Sequence, residues 1–213
     1  TETRGADDLR QAIADTYEQM TVDNILCFAG AEEGLYAAMR VLLAKEDHAI
    51  VVVPNYQAAE TIPLDICEVT GIPLMEEQRW RLDQDRFKSA SRPNTRLVSV
   101  CFPNNPTGAI PSPEDFQELV SVCREHGLYL FCDEVYRLLE LDESKRIPQA
   151  ADAYEKGLSL NVMSKAYGLP GLRIGWIASQ DTALLDRLER QRAEVFCEAT
   201  TVQPFDKSGR FHD

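Results

Sequence analysis

At 213 residues with 44% hydrophobic content, the chain is long and apolar enough to fold around a substantial core, which excludes general disorder. Its 22 lysines and arginines against 35 aspartates and glutamates give a formal net charge of −13, so neither nucleic acid nor an anionic membrane is an expected partner. The six cysteines form no CxxC pair and read as buried reduced thiols, and no stretch resembles a transmembrane helix or a signal sequence, so a cytoplasmic location is expected.

Residues 7–20 place Leu9, Ala12, Ile13, Tyr17 and Met20 at spacings of three and four behind an acidic start, which predicts an amphipathic helix over the whole stretch. A strand at 24–28, a helix at about 32–43 and a strand at 49–53 outline a β-α-β unit. Apolar runs at 72–75, 97–102, 128–132, 158–162 and 175–178 follow, separated by helical patterns such as 113–126. Such alternation predicts an α/β fold of three layers, a mostly parallel sheet with helices on both faces. One domain is expected over 7–196, with 197–213 an irregular tail that loses the periodicity and carries Pro204 and Gly209.

Several polar motifs fall where these strands end. Gly30-Ala31-Glu32-Glu33-Gly34 lies between the first strand and its helix, where a phosphate would meet free backbone amides and the positive helix end. Tyr56 follows Val-Val-Val-Pro-Asn, Asn105-Pro106-Thr107-Gly108 follows the run at 97–102, and Asp133-Glu134-Val135-Tyr136 follows the run at 128–132. The glycine-punctuated segment from Ser164 to Gly175 sets Lys165 and Arg173 eight residues apart. Ligands of open α/β sheets bind outside the carboxyl ends of the strands, so these side chains can converge on one crevice. A lysine amine able to form a Schiff base, with a planar cation for a phosphate, is what pyridoxal phosphate requires. Each motif alone has a plainer reading: Asn-Pro-Thr-Gly as a β-turn, Asp133 as a cap, Tyr56 and Tyr136 as packing aromatics, Lys165 as a surface charge.

Taken in order, NNPTG, DEVY and SKxxGLPGxRxG resemble the class I/II aminotransferases, the aspartate-aminotransferase-like group of fold type I pyridoxal phosphate enzymes, and the resemblance runs from about Thr3 to about Arg192. It implies the large, cofactor-binding domain of that family, with the N-terminal arm and the smaller C-terminal domain outside this chain. Lys165 then corresponds to the Schiff-base lysine and general acid–base. Asp133 corresponds to the carboxylate facing the pyridine nitrogen, and Tyr136 and Asn105 to the donors on the cofactor's phenolic oxygen. Gly30, Ala31 and Glu32 match the phosphate-binding turn, Arg173 the phosphate cation, and Tyr56 the ring stacked on the cofactor face. Three residues before the lysine, where many members carry serine or glycine, this chain has Val162, which leaves Ser164 as a substitute hydroxyl.

The resemblance implies transfer of an amino group from an amino acid to a 2-oxo acid, no metal, and a homodimer whose sites are completed by the second subunit. Lyases and synthases acting at Cα, Cβ or Cγ use the same lysine and electron sink, and an isolated large domain would be inactive, so these alternatives stand beside transamination. Glu32 is an awkward neighbour for a phosphate dianion unless its carboxylate points away.

Overall fold

The computed structural model describes residues 3–196, so the expected tail at 197–213 lies outside them. Seven strands form one sheet: β1 (Ile25–Phe28), β2 (His48–Val53), β3 (Glu68–Pro73), β4 (Thr95–Cys101), β5 (Tyr129–Asp133), β6 (Gly157–Val162) and β7 (Gly175–Ala178). Their spatial order is β1-β7-β6-β5-β4-β2-β3. Every pairing is parallel except those of β7, which runs antiparallel to both β1 and β6. The twelve residues between β6 and β7 contain no α-helix, and a parallel return needs a helix-bearing crossover, so this strand reverses.

Strand alternation divides the core. Leu26 and Phe28 of β1, Leu97 of β4, Tyr129 and Phe131 of β5, Leu158 and Leu160 of β6 and Ile177 of β7 face one layer. Against them pack Leu35, Met39 and Leu42 of α2 (Ala31–Leu42), Ala59 of α3 (Gln57–Ile66) and Leu184, Leu185 and Leu188 of α7 (Thr182–Phe196). The opposite positions, including Ile50, Val98, Val100, Leu130 and Cys132, meet Phe87 of α4 (Gln84–Ala90), Phe116, Leu119 and Val120 of α5 (Pro113–His126) and Ala150 of α6 (Ala150–Ala153). Both sheet faces are therefore covered, and each fully buried Leu, Ile or Phe contributes about 1.5–3 kcal/mol. Five cysteines among the described residues are free, and the sheet thiols of Cys27, Cys101 and Cys132 are buried. No helix among these residues is long and apolar enough to cross a membrane.

Two expected elements need correction. The first helix, α1, ends at Ala14 (Asp7–Ala14), not at residue 20. The Thr16 hydroxyl bonds back to the Ile13 carbonyl, and the Glu18 and Gln19 amides are taken by the Asp152 carboxylate, so the chain leaves the helix while Tyr17 and Met20 stay buried against Trp176 and Ile25. Side chains at these positions competing for backbone donors and acceptors explain the early stop. The third strand covers Glu68–Pro73 in place of 72–75. It is an edge strand paired only with β2 and half exposed, so it lacks the continuous apolar run that marks a buried strand.

Candidate active site

Four of the site segments follow the C-terminal ends of parallel strands, and the fifth precedes the reversed strand β7, which brings it to the same edge. Asp133 is the last residue of β5, in register with Cys101 at the end of β4 and Leu160 of β6. By alternation it shares the face of Tyr129 and Phe131, on which α2 packs. The carboxyl is buried and accepts one hydrogen bond, from the Val135 amide at 3.1 Å. Burial pushes its pKa up to about 6, opposed by that bond and by the Lys165 charge.

Lys165 stands in the turn after β6. Its Nζ lies 5.3 Å from the centroid of the Tyr136 ring, and its charge favours the ionised form of Asp133, so the three groups lie in one region. Its side chain is exposed. The turn around it, through Gly168, Leu169 and Pro170, is exposed too, so nothing among the described residues covers the amine. The neighbouring Ser164 Oγ is buried and has no hydrogen-bond partner among the described residues, while Val162 is packed inside the sheet and offers no hydroxyl.

Arg173 and the Gly30 turn also come together. Gly30 caps α2 at φ 106°, and a Cβ placed on it would meet Arg173 Nη2 at 2.6 Å, so the glycine supplies both the backbone angle and the room for the guanidinium. A Cβ on Gly175, the first residue of β7, would lie 2.5 Å from the Gly30 carbonyl carbon and 2.6 Å from the Ala31 nitrogen. Close contact of two backbones thus forms this corner. Gly175→Ala has only backbone to displace, and the expected result is a loss of about 1–3 kcal/mol in chemical denaturation, toward the upper end.

The first-turn acids of α2 are both occupied. The Glu33 carboxylate reaches back to the Ala29 amide, and Glu32 accepts a hydrogen bond from the Tyr56 hydroxyl at 3.2 Å. Tyr56 is 41% exposed, so one face of its ring is open to the crevice or to solvent. Asn105 is half-buried after β4, and its side-chain amide makes no hydrogen bond among the described residues. Asn104, unremarked in the sequence reading, is what shapes this loop. Its Oδ1 accepts from the Thr107 amide and hydroxyl, and its Nδ2 donates to the Pro54 carbonyl at 3.2 Å, which ties the Asn105 loop to the one carrying Tyr56. The Asn-x-x-Thr spacing was its available signal. Glu134 was also missed as an anchor: buried beside Asp133, it accepts from the Ala150 amide and the Ser159 hydroxyl, each at 2.8 Å.

The arrangement offers an amine near a buried carboxyl and a phenol, and an arginine over a helix N-terminal turn. The first set can attack a carbonyl and shuttle a proton; the second can grip an anion. The sequence profile of the family described as aminotransferase class I and II matches residues 1–207. The aspartate aminotransferase of Pyrococcus horikoshii is 29% identical over 185 residues, covering 84% of this chain and 47% of that protein. The glutamate-pyruvate aminotransferase of Escherichia coli K12 is 30% identical, covering 83% of this chain and 45% of that protein. The crystal structure of a PLP-dependent aminotransferase from Streptococcus suis superimposes with a TM-score of 0.86 at 31% identity, over 91% of this chain and 51% of that one. The chain spans about half the length of these relatives.

Proposed function

Because this chain belongs to the class I and II aminotransferase family, we propose that the protein carrying it transfers an amino group from an amino acid to a 2-oxo acid, with pyridoxal 5′-phosphate as cofactor. What supports this reading is the nearness of Lys165 to Tyr136, beside the buried Asp133 on which its charge acts, at the edge where Arg173 stands by the Gly30 turn. The residues present fit the cofactor. The buried, unpartnered Ser164 hydroxyl and the cradle that a Cβ at Gly30 would fill are what a phosphate uses, and a buried carboxyl with a single bond suits a cationic ring nitrogen.

In this reading Arg173, Ser164 and the main-chain amides of Gly30, Ala31 and Glu32 hold the phosphate. When bound, pyridoxal phosphate supplies an electrophilic aldehyde and a ring that accepts the electron pair released at the amino acid's Cα. Lys165 would hold the group through its Nζ, by Schiff-base condensation with loss of water, and once freed by an amino acid its amine would carry the proton at the substrate Cα. Asp133 would face the ring nitrogen and keep it protonated, Tyr136 and Asn105 would donate hydrogen bonds to the ring oxygen, and Tyr56 would supply an aromatic surface for the cofactor. The two half-reactions share one lysine, which implies ping-pong kinetics, and the partner subunit of a homodimer completes the substrate pocket.

Incubation of the full-length protein with pyridoxal phosphate, borohydride reduction and peptide mass spectrometry test the assignment. The expected result is one pyridoxyl adduct, on Lys165. Labelling scattered over surface lysines overturns it. Stoichiometric conversion of a 2-oxo acid supports transamination, whereas release of ammonia or a thiol without an acceptor supports a lyase of the same fold.

A further inference from the structure

Two carboxylates enter the first turn of α2, on the anion cup formed by Gly30, Arg173 and the helix amides, and they are restrained differently. Glu33 folds back within the turn onto the Ala29 amide. Glu32 makes no such local bond: its side chain is exposed, and the one hydrogen bond to its carboxylate among the described residues comes from the Tyr56 hydroxyl, 24 residues away, at 3.2 Å. The free amides and the positive end of a helix draw any nearby anion, so an unrestrained carboxylate at the second helical position competes for the place a phosphate would take.

We propose that Tyr56 is a positioning residue, whose hydroxyl holds the Glu32 carboxylate out of the phosphate cup and so sets how strongly the site prefers a phosphorylated ligand. This rests on the reading of the cup given above and assigns the phenolic O–H a task separate from the ring that carries it. The neighbouring Glu32 charge, with some burial, raises the Tyr56 pKa. The loop bearing Tyr56 is itself fixed, through the Asn104 bond to Pro54, so the hydroxyl is presented from a tethered backbone.

The test compares dissociation constants of pyridoxal phosphate and of pyridoxal, which lacks the phosphate, for the full-length apoprotein. Tyr56→Phe keeps the ring and removes the hydroxyl. The expected result is pyridoxal phosphate binding weakened about fivefold, as for loss of one hydrogen bond to a charged group at a partly exposed site, with pyridoxal changed by less than about twofold. Glu32→Gln removes the competing charge, so Tyr56→Phe made in that background is expected to leave the preference where Glu32→Gln alone puts it. Equal weakening of both ligands by Tyr56→Phe overturns the proposal, as does a phosphate-specific loss that persists in the double variant. If the wild-type protein does not prefer pyridoxal phosphate over pyridoxal, the cup itself has been misassigned, and that result is distinct from either.

Discussion

Lys165→Ala in the full-length protein is expected to lower kcat for amino transfer by at least about 10⁴-fold, since it removes both the nucleophile and the proton carrier in one step. Stability should not follow. The side chain is exposed and makes no hydrogen bond among the described residues, so its removal is expected to change the unfolding free energy by no more than about 0.5 kcal/mol. Steady-state kinetics and a chemical denaturation curve on the same preparation check the pair of outcomes. Turnover within tenfold of wild type would remove Lys165 from the mechanism, whereas a large loss of stability would mean that the lysine holds the fold.

Asp133→Asn is expected to move activity and stability in opposite directions. The carboxyl titrates near 6 in the folded chain against an ordinary value of 3.8, because burial disfavours its charge. As pH rises from about 4 towards 6, the unfolded chain releases this proton before the folded one does, so stability is fully present below the unfolded pKa and is lost as pH climbs through the folded value. The resulting cost at pH 8 is on the order of 3 kcal/mol, and asparagine, which keeps an acceptor for the Val135 amide, avoids it. Denaturation of the cofactor-free protein should therefore show the variant more stable than wild type at pH 8, with the advantage gone below the ordinary value of 3.8. Turnover should fall about 10²- to 10⁴-fold, because a neutral amide cannot hold the charge of a protonated ring nitrogen. Glu134 works in the same direction on stability, its pKa pushed up to about 7 by burial, so the pH dependence is steepened in wild type and survives in part in the variant.

The buried parallel strands were legible because apolar residues recur along them: in the strands ending at Cys101, Asp133 and Val162 every residue but Arg96 is buried. Where exposure varies along an element, the pattern blurred. Glu68, Thr70 and Gly71 of the edge strand β3 read as a loop, and Tyr17 and Met20 kept a helical spacing although they are buried from a turn. Of the candidate site, the lysine, the aspartate and the arginine stood out in the sequence because they fall at strand ends, where ligands of open α/β sheets bind. The groups that position them were not. Asn104, Glu134 and Gly175 act through partners 16 to 145 positions away, at Pro54, Ala150 and Gly30, and no local pattern announces such a contact.

The reversed strand has a consequence for the order in which the chain can become competent. β1 touches the sheet only through β7, and the Gly30 turn at its end is packed against Gly175. Half of the anion cup is thus made early in this sequence but lacks its backbone partner until Gly175 has been synthesised, 145 residues after Gly30. The middle strands, from β2 to β6, pair with one another and can condense earlier. Capture of an anion by the nascent chain is therefore a late event, and it reports closure of the sheet's far edge.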